Sequence, residues 1–197
     1  NVNLNKKNKK YLEKLKLYFY DSLGHKYYER TNGERNLNEL YDLINQESKK
    51  INKEKFVDVC MHVRLGDVIV DGNNPNLLPS KYKDKKSFNY PLETYNKIFY
   101  ELKNKYKIKK VTIFGGIHRK MKKQILNESK KFIENLKNIS KIYNLDVSFR
   151  LGNNPDEDFL LMSNAKIFIM AGGGFSKTIS NYVSYKRNIV INPIILK

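Results

Sequence analysis

The sequence predicts an α/β protein whose parallel sheet is covered by helices on both faces. Three observations carry that prediction. From Phe56 onward, short β-rich apolar runs alternate with segments of helical periodicity, and strands alternating with helices build crossovers rather than hairpins. Two of the runs end in glycine clusters, Gly115–Gly116 and Gly172–Gly173–Gly174, where a strand turns into a helix. The chain has 197 residues, of which 40% are hydrophobic and 29% charged, enough for one domain with a real core.

The elements follow in order. Leu4, Tyr11, Leu12, Leu15, Tyr18 and Phe19 lie at helical spacing over 3–20, and 21–35 reads as a loop with Gly24 and Gly33. Asn36 followed by Glu39 has the form of a capping box, and Leu37, Leu40, Tyr41 and Ile44 continue a helical face to about Lys50. Residues 1–55 are therefore expected to form an N-terminal helical region, and residues 56–197 the α/β domain. Within that domain Phe56–Val63 predicts a strand, and Gly66–Tyr90, with Gly72, Pro75 and Pro79, a long loop. Pro91 opens a helix to about Lys105, Val111–Phe114 is a strand, and His118–Tyr143 is a Lys-rich helix. Val147–Phe149 is a strand, and Pro155–Ser163 is a short helix with three acids in its first turn, where the helix dipole favours them. Ile167–Met170, Phe175–Tyr185 and Ile189–Ile191 complete the pattern as strand, helix and strand.

Composition excludes several classes. Lys plus Arg number 38 and Asp plus Glu 20, a net charge of +18, with an isoelectric point near 9.7. The cations are mostly Lys scattered with Asn, whereas base readout favours Arg. No helix-turn-helix, zinc-finger or aromatic RNP-type motif is present, so specific nucleic-acid binding is not expected. The Lys excess reads either as a solvated surface or as a field that attracts anions such as phosphorylated substrates or acidic glycans. No apolar run approaches the ~20 residues of a membrane span, and NVNLNKKNKK has no apolar core of a signal peptide. Cys60 is the only cysteine, which excludes an intrachain disulfide and a Cys-based zinc site. A cytoplasmic setting is expected.

Ligands of parallel sheets bind beyond the carboxyl ends of the strands, and chemistry-bearing residues cluster there. Cys60 to Asp67 reads CMHVRLGD. His62 and Arg64 alternate on one face at a strand end, and the planar Arg fork suits a diphosphate. Asp67 could orient Arg64 or accept from a sugar hydroxyl; a strand-end ion pair with a satisfied histidine fits the same residues. Ala171 to Lys177 reads AGGGFSK. Glycines between a strand and a helix let backbone N–H groups approach an anion, and Ser176 and Lys177 could add a hydroxyl and a charge. A tight turn alone is the alternative, since the spacing is neither that of a Walker A loop nor G-x-G-x-x-G. Asp156–Glu157–Asp158 contains Asp-x-Asp, a metal-compatible spacing, at a helix start where acids are expected anyway. His118 and Arg119 after Gly116 could meet a phosphate or simply begin a surface helix.

Together these segments resemble the fucosyltransferase superfamily, especially α1,2-fucosyltransferases. The first motif of that family is like H-V-R-R-G-D; here it reads His62-Val63-Arg64-Leu65-Gly66-Asp67. The second, a strand ending F-S-D-D, is matched by Val111-Thr112-Ile113-Phe114-Gly115-Gly116. The third resembles D-x-x-L-M-S-x-C, a strand, and S-S-F-S-W. It is matched by Asp158 to Ala165, Ile167 to Met170, and Gly173-Gly174-Phe175-Ser176-Lys177. Order and spacing agree over roughly Phe56 to Val190. Leu65 replaces the second motif arginine, Gly115–Gly116 replace the acidic pair, and the final tryptophan is absent.

The resemblance implies the nucleotide-sugar half of a GT-B glycosyltransferase, a Rossmann-like domain over residues 56–197. It implies an inverting transfer of fucose from GDP-fucose to a glycan acceptor, with a non-catalytic nucleotide- or glycan-binding relative as the alternative. Only about 55 residues precede Phe56, so the chain is expected to be either a fragment or an enzyme with a reduced acceptor region. Arg64, the amides of Gly173 and Gly174, and Ser176 would stabilise the leaving diphosphate, with Phe175 and Lys177 alongside. His62 and Asp158 would hold the guanine base, and Asp67 is the candidate general base. No metal or other cofactor is expected beyond the GDP-sugar donor.

Overall fold

A computed structural model describes residues 34–66, 90–116 and 123–193. The predicted helix over 3–20, the loop after Gly66, and the His118–Arg119 pair lie outside the described residues. The chain divides into two compact units, residues 1–46 and 47–197. The described part of the first belongs to helix α1 (Glu34–Ser48), on which Leu40, Tyr41 and Ile44 form a buried apolar stripe.

The second unit contains β1 (Val59–Val63), α2 (Leu92–Asn104), β2 (Lys110–Gly115), α3 (Lys123–Ile142), β3 (Asp146–Leu151), α4 (Pro155–Ser163), β4 (Ile167–Ile169), α5 (Gly174–Tyr185) and β5 (Ile189–Ile191). The five strands form one sheet in the order β3-β2-β1-β4-β5, and every neighbouring pair is parallel. This is the Rossmann-like α/β architecture the sequence predicts. β1 begins at Val59 rather than Phe56 because Lys53–Lys55 makes a 3-10 turn, capped by Asn52, whose side chain accepts from the Glu54 amide.

Alternation along β1 divides its side chains between two layers. Val59, Met61 and Val63 join Val111, Ile113, Ile167 and Ile169 in a core shared with Tyr95, Ile98, Phe99 and Leu102 of α2 and Phe132, Ile133 and Leu136 of α3. The Tyr95 and Phe132 rings meet edge to face at 5.6 Å. The opposite face carries Cys60 and His62 of β1 and Phe114 of β2, and it is α4 that contacts β1 and α5 that contacts β5. Burial on both faces explains why the central strand reads as a nearly continuous apolar run. α4 starts where the sequence predicts: Pro155 occupies the first turn, and Asn154 Oδ1 accepts from the Asp156 amide at 2.8 Å.

Candidate functional site at the strand-order switch

The strand order fixes where a ligand can enter. From β1 the chain steps outward through β2 to β3, then returns to the other side of β1 as β4 and continues to β5. Crossovers therefore leave the carboxyl ends of β1 and β4 in opposite directions, and a crevice opens between them, as at the nucleotide sites of doubly wound sheets. The two segments at those ends are His62–Gly66 and Met170–Gly174.

His62 lies in register with Phe114 of β2. Its ring packs against Phe175 in the first turn of α5, centroids 5.4 Å apart, and Phe175 in turn meets Phe159 of α4 edge to face at 5.6 Å. His62 Nδ1 is buried with no hydrogen-bond partner. Burial first, and then the Arg64 charge, lower the His62 pKa from 6.5 to about 4, so the ring is neutral at pH 7. Arg64 follows the strand end, partly exposed.

Leu65 and Gly66 turn the other way. Leu65 is 3% exposed and sits in the core, so position 65 cannot add a phosphate contact. A Cβ on Gly115 would meet Leu65 Cδ1 at 3.0 Å and Val63 Cγ2 and Leu151 Cδ2 at 3.2 Å. The leucine and the glycine fit one another. Gly66 takes φ 88°, and its N–H donates to the buried Ser129 Oγ of α3 at 3.1 Å. Asp67 lies outside the described residues.

Beyond β4, Gly173 caps α5 with φ 97° and ψ 165°, a conformation that needs glycine. Gly174 and Lys177 are exposed. Ser176 differs from its expected role. It is fully buried, and its Oγ accepts the Ala171 N–H at 2.9 Å, so the hydroxyl oxygen holds the turn rather than facing a ligand. Sequence reading placed it at the helix start but not on the inner side.

Asp158 is buried in the first turn of α4, and it has a partner the sequence reading missed. Arg150, at the end of β3, donates from Nε to Asp158 Oδ1 at 2.8 Å and from Nη2 to Glu157 Oε2 at 3.2 Å. Glu157 also accepts from Lys55 Nζ at 3.0 Å. Burial raises the Asp158 pKa, with Arg150 opposing it; Lys55 leads the lowering of the Glu157 pKa. Two of the three acids in the Asp-x-Asp segment are thus paired with cations, and among the described residues no group of His, Cys, Asp or Glu is arranged to hold a metal ion. Arg150 was legible in principle. The run SFRLG repeats the basic residue at a strand end seen in HVRLG, but the predicted strand stopped at Phe149.

No family model matches the chain, and no curated protein matches it. Among solved structures it is similar to a universal stress protein from Archaeoglobus fulgidus, with a TM-score of 0.38 and 11% identity over 68% of this chain and 91% of that one. It is also similar to POFUT1 in complex with GDP, with a TM-score of 0.40 and 14% identity over 74% of this chain. The chain spans 44% of the length of that second structure. The fold is α/β and Rossmann-like on its own strand order. No described helix is long and apolar enough to cross a membrane.

Proposed function

We propose that the strand-order crevice binds a nucleoside diphosphate sugar and that the chain serves sugar transfer, with GDP-fucose as donor and a glycan hydroxyl as acceptor. One observation carries the reading. The His62–Arg64 strand end and the Gly173 turn flank the switch point of the sheet and are joined there by the His62–Phe175 contact. The motif order from His62 through Asp158 to Ser176 supports the fucosyltransferase assignment.

Each residue then has a task. Arg64 offers a fork of donors to the diphosphate, and the first amides of α5 add the positive end of a helix. Both would stabilise the charge that develops on the leaving diphosphate. His62 and Phe175 present ring surface to the base, Asp158 presents a carboxylate to its edge, and Lys177 adds a cation at the rim. Ser176 acts through the turn it holds. Asp67, the residue after Gly66 in the sequence, is the proposed base for the acceptor hydroxyl. Charge stabilisation by arginine and amides makes a metal unnecessary, and the Arg150 and Lys55 pairings of Glu157 and Asp158 accord with that.

Release of GDP from GDP-fucose in the presence of a glycan acceptor panel tests the reading. Turnover that persists in EDTA and disappears in Arg64→Ala supports it. GDP binding with no turnover of any GDP-sugar replaces it with a non-catalytic nucleotide-binding relative.

A further inference from the structure

The nucleotide reading leaves Arg150 without a task, yet its placement is specific. Phe114 pairs with His62 on one side and with Arg150 on the other, so the three residues form one row across β1, β2 and β3. The Arg150 guanidinium carbon stands 5.8 Å from the centre of the Phe114 ring. On the helix side, Arg150 holds Asp158, whose neighbour Phe159 touches Phe175, which touches His62. Arg150 therefore reaches the His62–Phe175 pair by two routes, through the sheet and through the helices above it. Its fork is split between Asp158 and Glu157 rather than spent on one carboxylate.

We propose that Arg150 is a positioning residue of the nucleotide site: it holds the buried Asp158 carboxylate in place in the first turn of α4, one residue before the Phe159 ring that meets Phe175, and so sets the preference for a base that presents N–H donors to a carboxylate. This rests on the nucleotide reading above. The physical reason is the cost of a buried charge. A carboxylate out of water holds its proton more tightly unless a cation stands against it. The groups that face Asp158 are Arg150 from β3, Glu157 from its own helix, and the Cys60 thiol from β1, with Lys55 reaching it only through Glu157. Arg150 alone among them opposes protonation directly. Guanine offers a carboxylate two adjacent N–H donors, and adenine does not, so loss of the charge costs discrimination between GDP and ADP.

Calorimetry with GDP and with ADP, repeated from pH 5 to pH 8, tests the proposal on wild type, Arg150→Met, Arg150→Lys and Glu157→Gln. Arg150→Met keeps an aliphatic stem over Phe114 and removes the charge. GDP affinity should fall toward acid in wild type. In Arg150→Met that fall should move to higher pH, and the preference for GDP over ADP should shrink about tenfold at neutral pH. Arg150→Lys should lie between the two, and it carries the test if the methionine variant does not fold. Glu157→Gln should keep the wild-type preference. Folded Arg150 variants with the wild-type pH profile and the wild-type GDP-to-ADP ratio overturn the proposal and leave the nucleotide reading standing. Wild type that binds neither nucleotide overturns both.

Discussion

His62 at the end of β1 and Phe175 in the first turn of α5 pack ring against ring, centroids 5.4 Å apart and planes tilted by 54°. The contact spans the point where the strand order reverses, so the two chemistry-bearing segments of the sequence meet there. It also buries His62 enough to keep the imidazole neutral, which leads to the first prediction.

His62 has a folded-state pKa lowered from 6.5 to about 4. A lowered value means stability that is complete above the unfolded value and lost as pH falls through the folded one. The melting temperature should therefore drop between about pH 6.5 and about pH 4, with up to roughly 3 kcal/mol at stake. His62→Phe keeps a ring against Phe175 and removes the titration, so its melting temperature should be flatter over that window. An unchanged pH dependence in His62→Phe would show that other groups drive the acid loss.

The turn before α5 separates binding from folding at neighbouring positions. Gly173, at φ 97° and ψ 165°, should lose about 1–3 kcal/mol of stability on substitution by alanine. Gly174 is exposed and takes no positive φ, so Gly174→Ala should keep or slightly raise the melting temperature while a Cβ crowds the anion approach. Calorimetry on the stable Gly174→Ala protein should show weaker GDP binding. Wild-type affinity there would leave the glycine run a turn and nothing more.

Ser176→Ala removes the partner of a buried amide. The Ala171 N–H donates to Ser176 Oγ at 2.9 Å, with both residues fully buried. An orphaned buried donor costs about 1–3 kcal/mol, so chemical denaturation should report that loss. Any change in GDP affinity should be smaller and should follow from the turn's looser geometry. A large affinity loss at unchanged stability would return Ser176 to the ligand.

Much of the fold was legible because each signal was local. Pro155 after Asn154, and Gly173 after an apolar run, mark helix starts by backbone chemistry that needs no tertiary context. The strand ends were less legible, because propensity does not see pairing. Val147–Phe149 extends to Asp146–Leu151 because β2 offers partners as far as Gly115. That extension is what brings Arg150 to the Asp158 carboxylate. Helix ends were legible to within one residue, at Asn104, Ile142 and Tyr185, but the residues that reverse the chain after them were not. Lys107, Asn144 and Arg187 adopt positive φ after α2, α3 and α5, a role in which glycine would have been readable. The burial of Ser176 was not legible, since a helix start alone does not say which side faces the core.

Leu65 has a packing counterpart in Gly115. Gly115→Ala brings a Cβ to 3.0 Å from Leu65 Cδ1, and overpacking of this kind costs about 1–3 kcal/mol. Adding Leu65→Val should recover part of that loss, because contacting residues couple. Urea denaturation of the two single variants and the double variant measures the coupling. Strictly additive effects would mean that Leu151 or Val63 takes the strain instead.

The crevice between β1 and β4 is proposed to hold a nucleoside diphosphate through Arg64, and calorimetry with GDP tests this most directly. Wild type should bind GDP, and Arg64→Ala, folded by circular dichroism, should bind it more weakly by about 1.5–3 kcal/mol. Arg64→Lys should recover little, since a point charge replaces a planar fork. Equal GDP affinity in wild type and folded Arg64→Ala, or no GDP binding by wild type, would contradict the account.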